Sequence, residues 1–131
     1  MSTSIKGKAV RVIKETQAAG TTAQTRGMVR RPGVNLTSTG AQKIWLGLVT
    51  CAPNEKGPPH HHGEAETAAY VLSGHMRVWF GEGFRQFVDA GPGDFVFVPP
   101  NFPHIEGNIT NEPAEAVLSR SPDNIVVNLG E

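Results

Sequence analysis

The chain has 131 residues and is poor in cysteine, aromatic side chains and net charge, with no long apolar run. A single cysteine, Cys51, excludes an internal disulfide. Its place in the apolar run Ile44 to Cys51 marks a buried, inert thiol rather than a nucleophile, which fits a reducing compartment. Twelve basic residues balance twelve acidic ones, and no basic cluster exceeds Arg30-Arg31. Such a balance argues against a protein that tracks nucleic-acid phosphates or an anionic membrane surface. No segment reaches the apolar length of a membrane span, and Met1 to Gly7 lacks the apolar core of a signal peptide, so the expected location is cytoplasmic. Helical periodicity is scarce too, because fifteen glycines and ten prolines interrupt the chain at short intervals.

What is present reads as β-structure. Ala9 to Ile13, Lys43 to Cys51, Thr67 to Ser73, His75 to Phe80, Phe84 to Val88, Phe95 to Pro99, Ala114 to Ser119 and Asn124 to Leu129 are rich in branched, leucine or aromatic side chains. Turn chemistry separates them at Gly74, Gly81-Glu82-Gly83, Ala90 to Asp94, Asn111-Glu112-Pro113 and Ser121-Pro122-Asp123. Many short strands at even spacing predict one all-β domain, a sandwich or a barrel. Residues 1–40 are polar with one strand, and are expected as an N-terminal arm on a barrel of residues 41–131. Alternation predicts core positions for Met76, Val78 and Phe80, and equally for Phe95 and Phe97.

The chemistry-bearing feature is His60-His61-His62 after Pro58-Pro59, with His104 following Pro99-Pro100-Asn101-Phe102-Pro103 far downstream. In a strand His60 and His62 share a face and His61 takes the other, so two imidazoles form a chelate that His104 can complete from a neighbouring strand. A carboxylate follows close by. Glu64 and Glu66 share parity with His60 and His62, although a turn at Gly63 resets it. His75 and Asp94 read as a sheet-surface residue and a turn cap. Arg26, Arg30, Arg31 and Arg120 could clamp an anion, but read first as solvated surface.

Two motifs carry a family resemblance. Asn54, His60, His62, Glu66 and Gly74 stand at the spacing of the first cupin motif, and Gly93, Pro99, Asn101, His104 and Asn108 at that of the second. The chain resembles a small single-domain cupin over Asn54 to Asn108, which implies a double-stranded β-helix, a jelly-roll-like barrel. Asn54 and Asn101 replace the family's usual glycines, and asparagine tolerates the positive φ such turns require. Counted back from Gly74 the carboxylate slot falls on Thr67; counted forward from His62 it falls on Glu66. The resemblance implies a divalent transition metal, Mn, Fe, Co, Ni or Zn, held by His60, His62, Glu66 and His104, with Glu64 or a three-histidine site as alternatives. Asn108 is expected to orient a ligand or tie down its strand.

The implied function is a metal-dependent small-molecule enzyme, a dioxygenase first and then a lyase or isomerase. The competing reading is a non-catalytic module that binds a small ligand or sugar. Expected partners are a small molecule and a second copy of the chain in a homodimer, docked through the arm, with neither nucleic acid nor membrane.

Overall fold

The computed structural model describes residues 9–15 and 22–130. Among the described residues twelve strands run in chain order: β1 (Thr22–Thr25), β2 (Met28–Val34), β3 (Trp45–Cys51), β4 (Glu55–Lys56), β5 (His60–His61), β6 (Glu66–Ser73), β7 (Met76–Phe80), β8 (Gln86–Ala90), β9 (Phe95–Val98), β10 (Ile105–Asn108), β11 (Ala114–Ser121) and β12 (Val127–Asn128). One sheet has the order β1-β2-β3-β11-β6-β9, a second β4-β10-β7-β8, and β12 pairs β5. Helix α1 (Leu36–Thr39) and a 3-10 turn at Glu82–Phe84 are single turns, and no described helix is long and apolar enough to cross a membrane.

Alternation along the larger sheet builds the core. Trp45, Val49 and Cys51 of β3, Ala114, Ala116 and Leu118 of β11, and Val71 of β6 face inward with Met28, Met76 and Ala90. The same period of two carries polar groups inside. Arg120 continues the row Ala114, Ala116, Leu118, and Arg30 follows Met28, so both arginines are buried where a solvated surface is expected, at 0% exposure for Arg30 and 2% for Arg120. Phe95 and Phe97 are corrected in the opposite sense. Val96 and Val98 turn inward on β9, leaving the two phenylalanines 82% and 63% exposed. Ala9 to Ile13 lies outside any strand, with Val10 and Val12 exposed. β-branched residues favour a strand only where a neighbouring surface can bury them.

Within residues 1–40, β1 and β2 form a hairpin that joins the larger sheet through β3, while Ile13, Lys14 and Glu15 line a groove with Leu46, Leu48 and Val117. The remainder of the expected arm, residues 1–8 and 16–21, is outside the described residues. Strands β4 and β10 have no counterpart among the expected segments, and β10 bears directly on the site.

Turns behave as their residues demand. Asn54 and Asn101 both adopt φ 54, the left-handed region that asparagine tolerates. Gly74 has φ 78, and a Cβ there would stand 2.5 Å from the Pro113 carbonyl oxygen and 2.6 Å from Ala114 Cα. Gly74→Ala should therefore destabilise the fold by about 2–4 kcal/mol in urea titration, combining backbone strain with a clash against main chain. Gly91→Ala, where a Cβ meets nothing within 4 Å, should stay within about 0.5 kcal/mol.

Candidate metal centre

His60 and His104 lie opposite each other in an antiparallel bridge and exchange both backbone hydrogen bonds, His60 N to His104 O at 3.0 Å and His104 N to His60 O at 2.9 Å. Residues opposed in this way project their side chains to the same face. His62, two residues after His60, and Glu106, two after His104, share that face through strand alternation. The ladder extends through β4 and β10, where Gly107 pairs Lys56 and Gly57 N donates to Glu106 O at 2.9 Å. Backbone register alone thus gathers three imidazoles and one carboxylate. Their candidate ligand atoms all lie within 4.8 Å of one another, and all four residues are buried.

Each imidazole is oriented by a main-chain oxygen. Nδ1 of His60 contacts Pro58 O at 3.1 Å, Nδ1 of His62 contacts Ile125 O at 2.6 Å, and Nδ1 of His104 contacts Phe102 O at 2.7 Å. A carbonyl oxygen only accepts, so each Nδ1 carries the proton and donates it. In a neutral ring that leaves the Nε2 lone pair bare. Glu106 Oε1 nevertheless lies 2.9 Å from His104 Nε2, 3.2 Å from His60 Nε2 and 3.7 Å from His62 Nε2. Lone pairs facing a carboxylate at these distances need a positive species between them, either a proton or a metal ion. Metal-binding imidazoles characteristically donate their other nitrogen to a carbonyl or carboxylate, as here, so the donor set fits a metal.

The electrostatics follow from that crowding. Burial alone would raise the Glu106 carboxyl, but the ring nitrogens crowded around it, that of His104 first, hold it well below the ordinary value. For His104 burial opposes the charged ring, yet the hydrogen bond and charge of Glu106 prevail and raise it. Burial lowers His62 to about 4, assisted by the charge of Arg120. Arg120 NH2 lies 3.0 Å from His62 Nε2 and donates to that neutral nitrogen. A proton shared by His104 and Glu106 accordingly occupies the place that a metal would take.

Comparison with known proteins now adds the family. The family described as Cupin domain matches residues 47–119. The chain is a cupin. It is 31% identical over 110 residues to germin-like protein 3-1 of Oryza sativa subsp. japonica, covering 81% of this chain and 48% of that one. It is 29% identical over 92 residues to germin-like protein subfamily T member 3 of Arabidopsis thaliana, and spans 40% of it. The cupin thus covers about half the length, or less, of these relatives. Among solved structures, the polyketide cyclase RemF from Streptomyces resistomycificus superposes with TM-score 0.75 at 21% identity, covering 94% of this chain and 87% of that one. Oxalate decarboxylase from Bacillus subtilis superposes with TM-score 0.65 at 24% identity over 81% of this chain and 28% of that one. At these identities the structural likeness shows the fold alone.

Of the expected ligands, the structure brings His60, His62 and His104 together and leaves Glu66 outside. Glu66 begins β6 with its side chain exposed, and Glu64 is exposed in the preceding turn. The turn, with Gly63 at φ 56, resets parity so that Thr67 faces inward in place of Glu66. Glu106 is the carboxylate that stands with them instead, on β10, which none of the expected segments covers. The signal is the alternation that links His60 to His62, applied to His104 and Glu106.

Neighbouring residues fill supporting places. Thr67 opposes Arg120 in the β6–β11 register, and Arg120 Nε donates to its Oγ1 at 2.8 Å while NH1 reaches Asn124 Oδ1. Asn108 ties down the turn before β11, donating to Glu112 O at 2.6 Å and accepting from Thr110 N at 3.0 Å. His61 pairs across to β12, and His75 reaches Asp89 at 2.9 Å on the sheet surface. Asp94 caps Gly91 N at 2.9 Å. Burial, aided by the charge of Glu106, raises the Cys51 thiol to about 12, consistent with an inert group.

Glu106→Gln, which keeps the shape but removes the charge, should weaken Co(II) binding about tenfold or more by calorimetry, whereas Glu66→Gln should leave it unchanged. The pH dependence has a definite sign. The proton on His104 must leave before Nε2 can coordinate, and its pKa lies above the ordinary 6.5. Apparent affinity should therefore fall by about tenfold between pH 8 and 6. A flat profile over that range would contradict the shared proton.

Proposed function

We propose that this cupin holds a divalent transition metal through Nε2 of His60, His62 and His104 and the carboxylate of Glu106, and acts with it on a small molecule. The observation that carries this reading is the set of three Nδ1 atoms tied to backbone carbonyls, which turns three Nε2 lone pairs on one carboxylate. Mn, Fe, Co, Ni and Zn all suit imidazole and carboxylate donors. A bound ion supplies a Lewis acid able to polarise a carbonyl or to take dioxygen, according to its identity.

The chain's own contribution is orientation, charge and exclusion of water. The carbonyls of Pro58, Ile125 and Phe102 fix the ring planes, and Glu106 offsets positive charge in a buried setting. Val49, Met76, Val98 and Leu118 line a cavity that Glu106 and Arg120 also border, and keep most of its wall apolar. For the reaction we favour dioxygenase chemistry, with lyase or isomerase chemistry second. The names of two structural neighbours, a polyketide cyclase and a decarboxylase, support keeping the second class open.

We also propose a homodimer. Phe95, Phe97 and Tyr70 leave an exposed apolar face on β6 and β9, which a second copy would cover. Sedimentation should give a dimer, and a monomer would contradict it.

Untagged protein exchanged against Mn(II), Co(II) or Zn(II) should retain about one metal per chain, and His104→Ala should lose it. Substoichiometric metal in the wild type would overturn the proposal. Loaded protein is then screened for oxygen consumption and for loss of small diketones and hydroxy acids. Turnover supports an enzyme, whereas thermal stabilisation by a ligand without turnover would assign a binding module instead.

A further inference from the structure

We propose that residues 124–129 form a strap that gates the metal centre, holding His62 in place when closed and freeing it for metal exchange when open. This rests on the metal reading above and adds a path by which a divalent ion enters and leaves that site.

The first argument is an asymmetry among the three imidazoles. Nδ1 of His60 is held by Pro58 O and Nδ1 of His104 by Phe102 O, each two residues back along its own segment. Nδ1 of His62 is held by Ile125 O at 2.6 Å, 63 residues away in the chain. Two rings are therefore fixed by local backbone, whereas the third depends on a distant segment staying docked.

The second argument is how lightly that segment is docked. β12 spans two residues and pairs with β5 in a two-stranded sheet, Val127 opposite His61 and Asn128 opposite His60, outside both larger sheets. Leu129 N donates to Pro59 O at 2.9 Å, and Asn124 Oδ1 accepts from Arg120 NH1. Val127 and Leu129 stand 39% and 48% exposed, so little apolar surface secures them. Segments with few buried apolar contacts open locally without unfolding the domain.

The consequence follows from what stays behind. Along its other edge β5 is bridged to His104, with two backbone hydrogen bonds between His60 and His104. That bridge, and the alternation from His104 to Glu106, do not involve residues 124–129. Opening therefore leaves His60, His104 and Glu106 in register while the His62 ring loses the acceptor that fixes its Nδ1 proton. A site of four donors becomes one of three, which an ion leaves and enters more readily. Linkage makes the effect reciprocal, because an ion that binds better with the strap closed also holds the strap closed.

In the test, Co(II)-loaded protein is mixed with excess EDTA and release is followed through the Co(II) visible spectrum, with urea titration of the metal-free protein alongside. Leu129→Pro removes the N–H that meets Pro59 O. By alternation the side chain at 129 lies on the same face as Val127, opposite His61 and away from the site. Release from this variant should be about tenfold faster or more, the size expected when support of a ligating histidine is lost, at an unchanged urea midpoint. Val127→Gly, which loosens the strand through backbone entropy, should speed release by a smaller factor. Unchanged release in both variants, or faster release only in step with a lowered urea midpoint, would overturn the proposal. Hydrogen exchange on the wild type supplies a reading that depends on no variant. Residues 124–129 should exchange faster than β11 in the metal-free protein and slow by about tenfold on loading with Co(II). Exchange that Co(II) leaves unaltered would also overturn the proposal. Failure of wild type to take up Co(II) would overturn the metal reading and this one with it, whereas full loading with release indifferent to the strap overturns this one alone.

Discussion

Three imidazole lone pairs and one carboxylate face a common point inside the barrel, and a positive species has to stand among them. That requirement organises the surrounding structure. The His60–His104 bridge and the β4–β10 pairing set the register, strand alternation adds His62 and Glu106, and three main-chain carbonyls fix the tautomers. None of these features is costly alone. Together they leave the metal-free protein relying on a single shared proton where a divalent ion would satisfy four donors at once.

The inner face of the larger sheet answers the same constraint. Arg120 meets Thr67 and His62, so the site and the sheet opposite form one connected polar unit embedded in valine, methionine and leucine. In such a network each member's worth depends on the others, and removing one exposes the rest to an unpaired buried charge. Coordination at His62 would therefore be felt at Arg120, whose NH2 lies 3.0 Å from His62 Nε2.

Much of this was legible in the residues. The β-rich pattern, the two motifs and the parity of the histidine triplet lead to the barrel and to His60, His62 and His104, and the two asparagines take the positive φ that their turns demand. Glu106 escaped because Ile105–Asn108 is short, carries one branched apolar residue and includes a glycine, so it lacks the composition of a strand even though its partners make it one. Arg30 and Arg120 escaped for a different reason. Composition assigns arginine to water, while the rows Met28-Arg30 and Ala114-Ala116-Leu118-Arg120 assign these two to the interior, and the rows prevail because buried charge near Glu106 has an opposing partner. For Phe95 and Phe97 against Val96 and Val98, alternation alone offers two equivalent registers. Only the closure of the sheet over Val71 and Leu118 chooses between them.

The most direct measurement is an anomalous difference map from crystals of the protein loaded with Co(II). A single peak about 2.0–2.3 Å from Nε2 of His60, His62 and His104 and from a carboxylate oxygen of Glu106 is the predicted result. A fully loaded crystal with its peak elsewhere, or with Glu66 turned in as the ligand in place of Glu106, would contradict it.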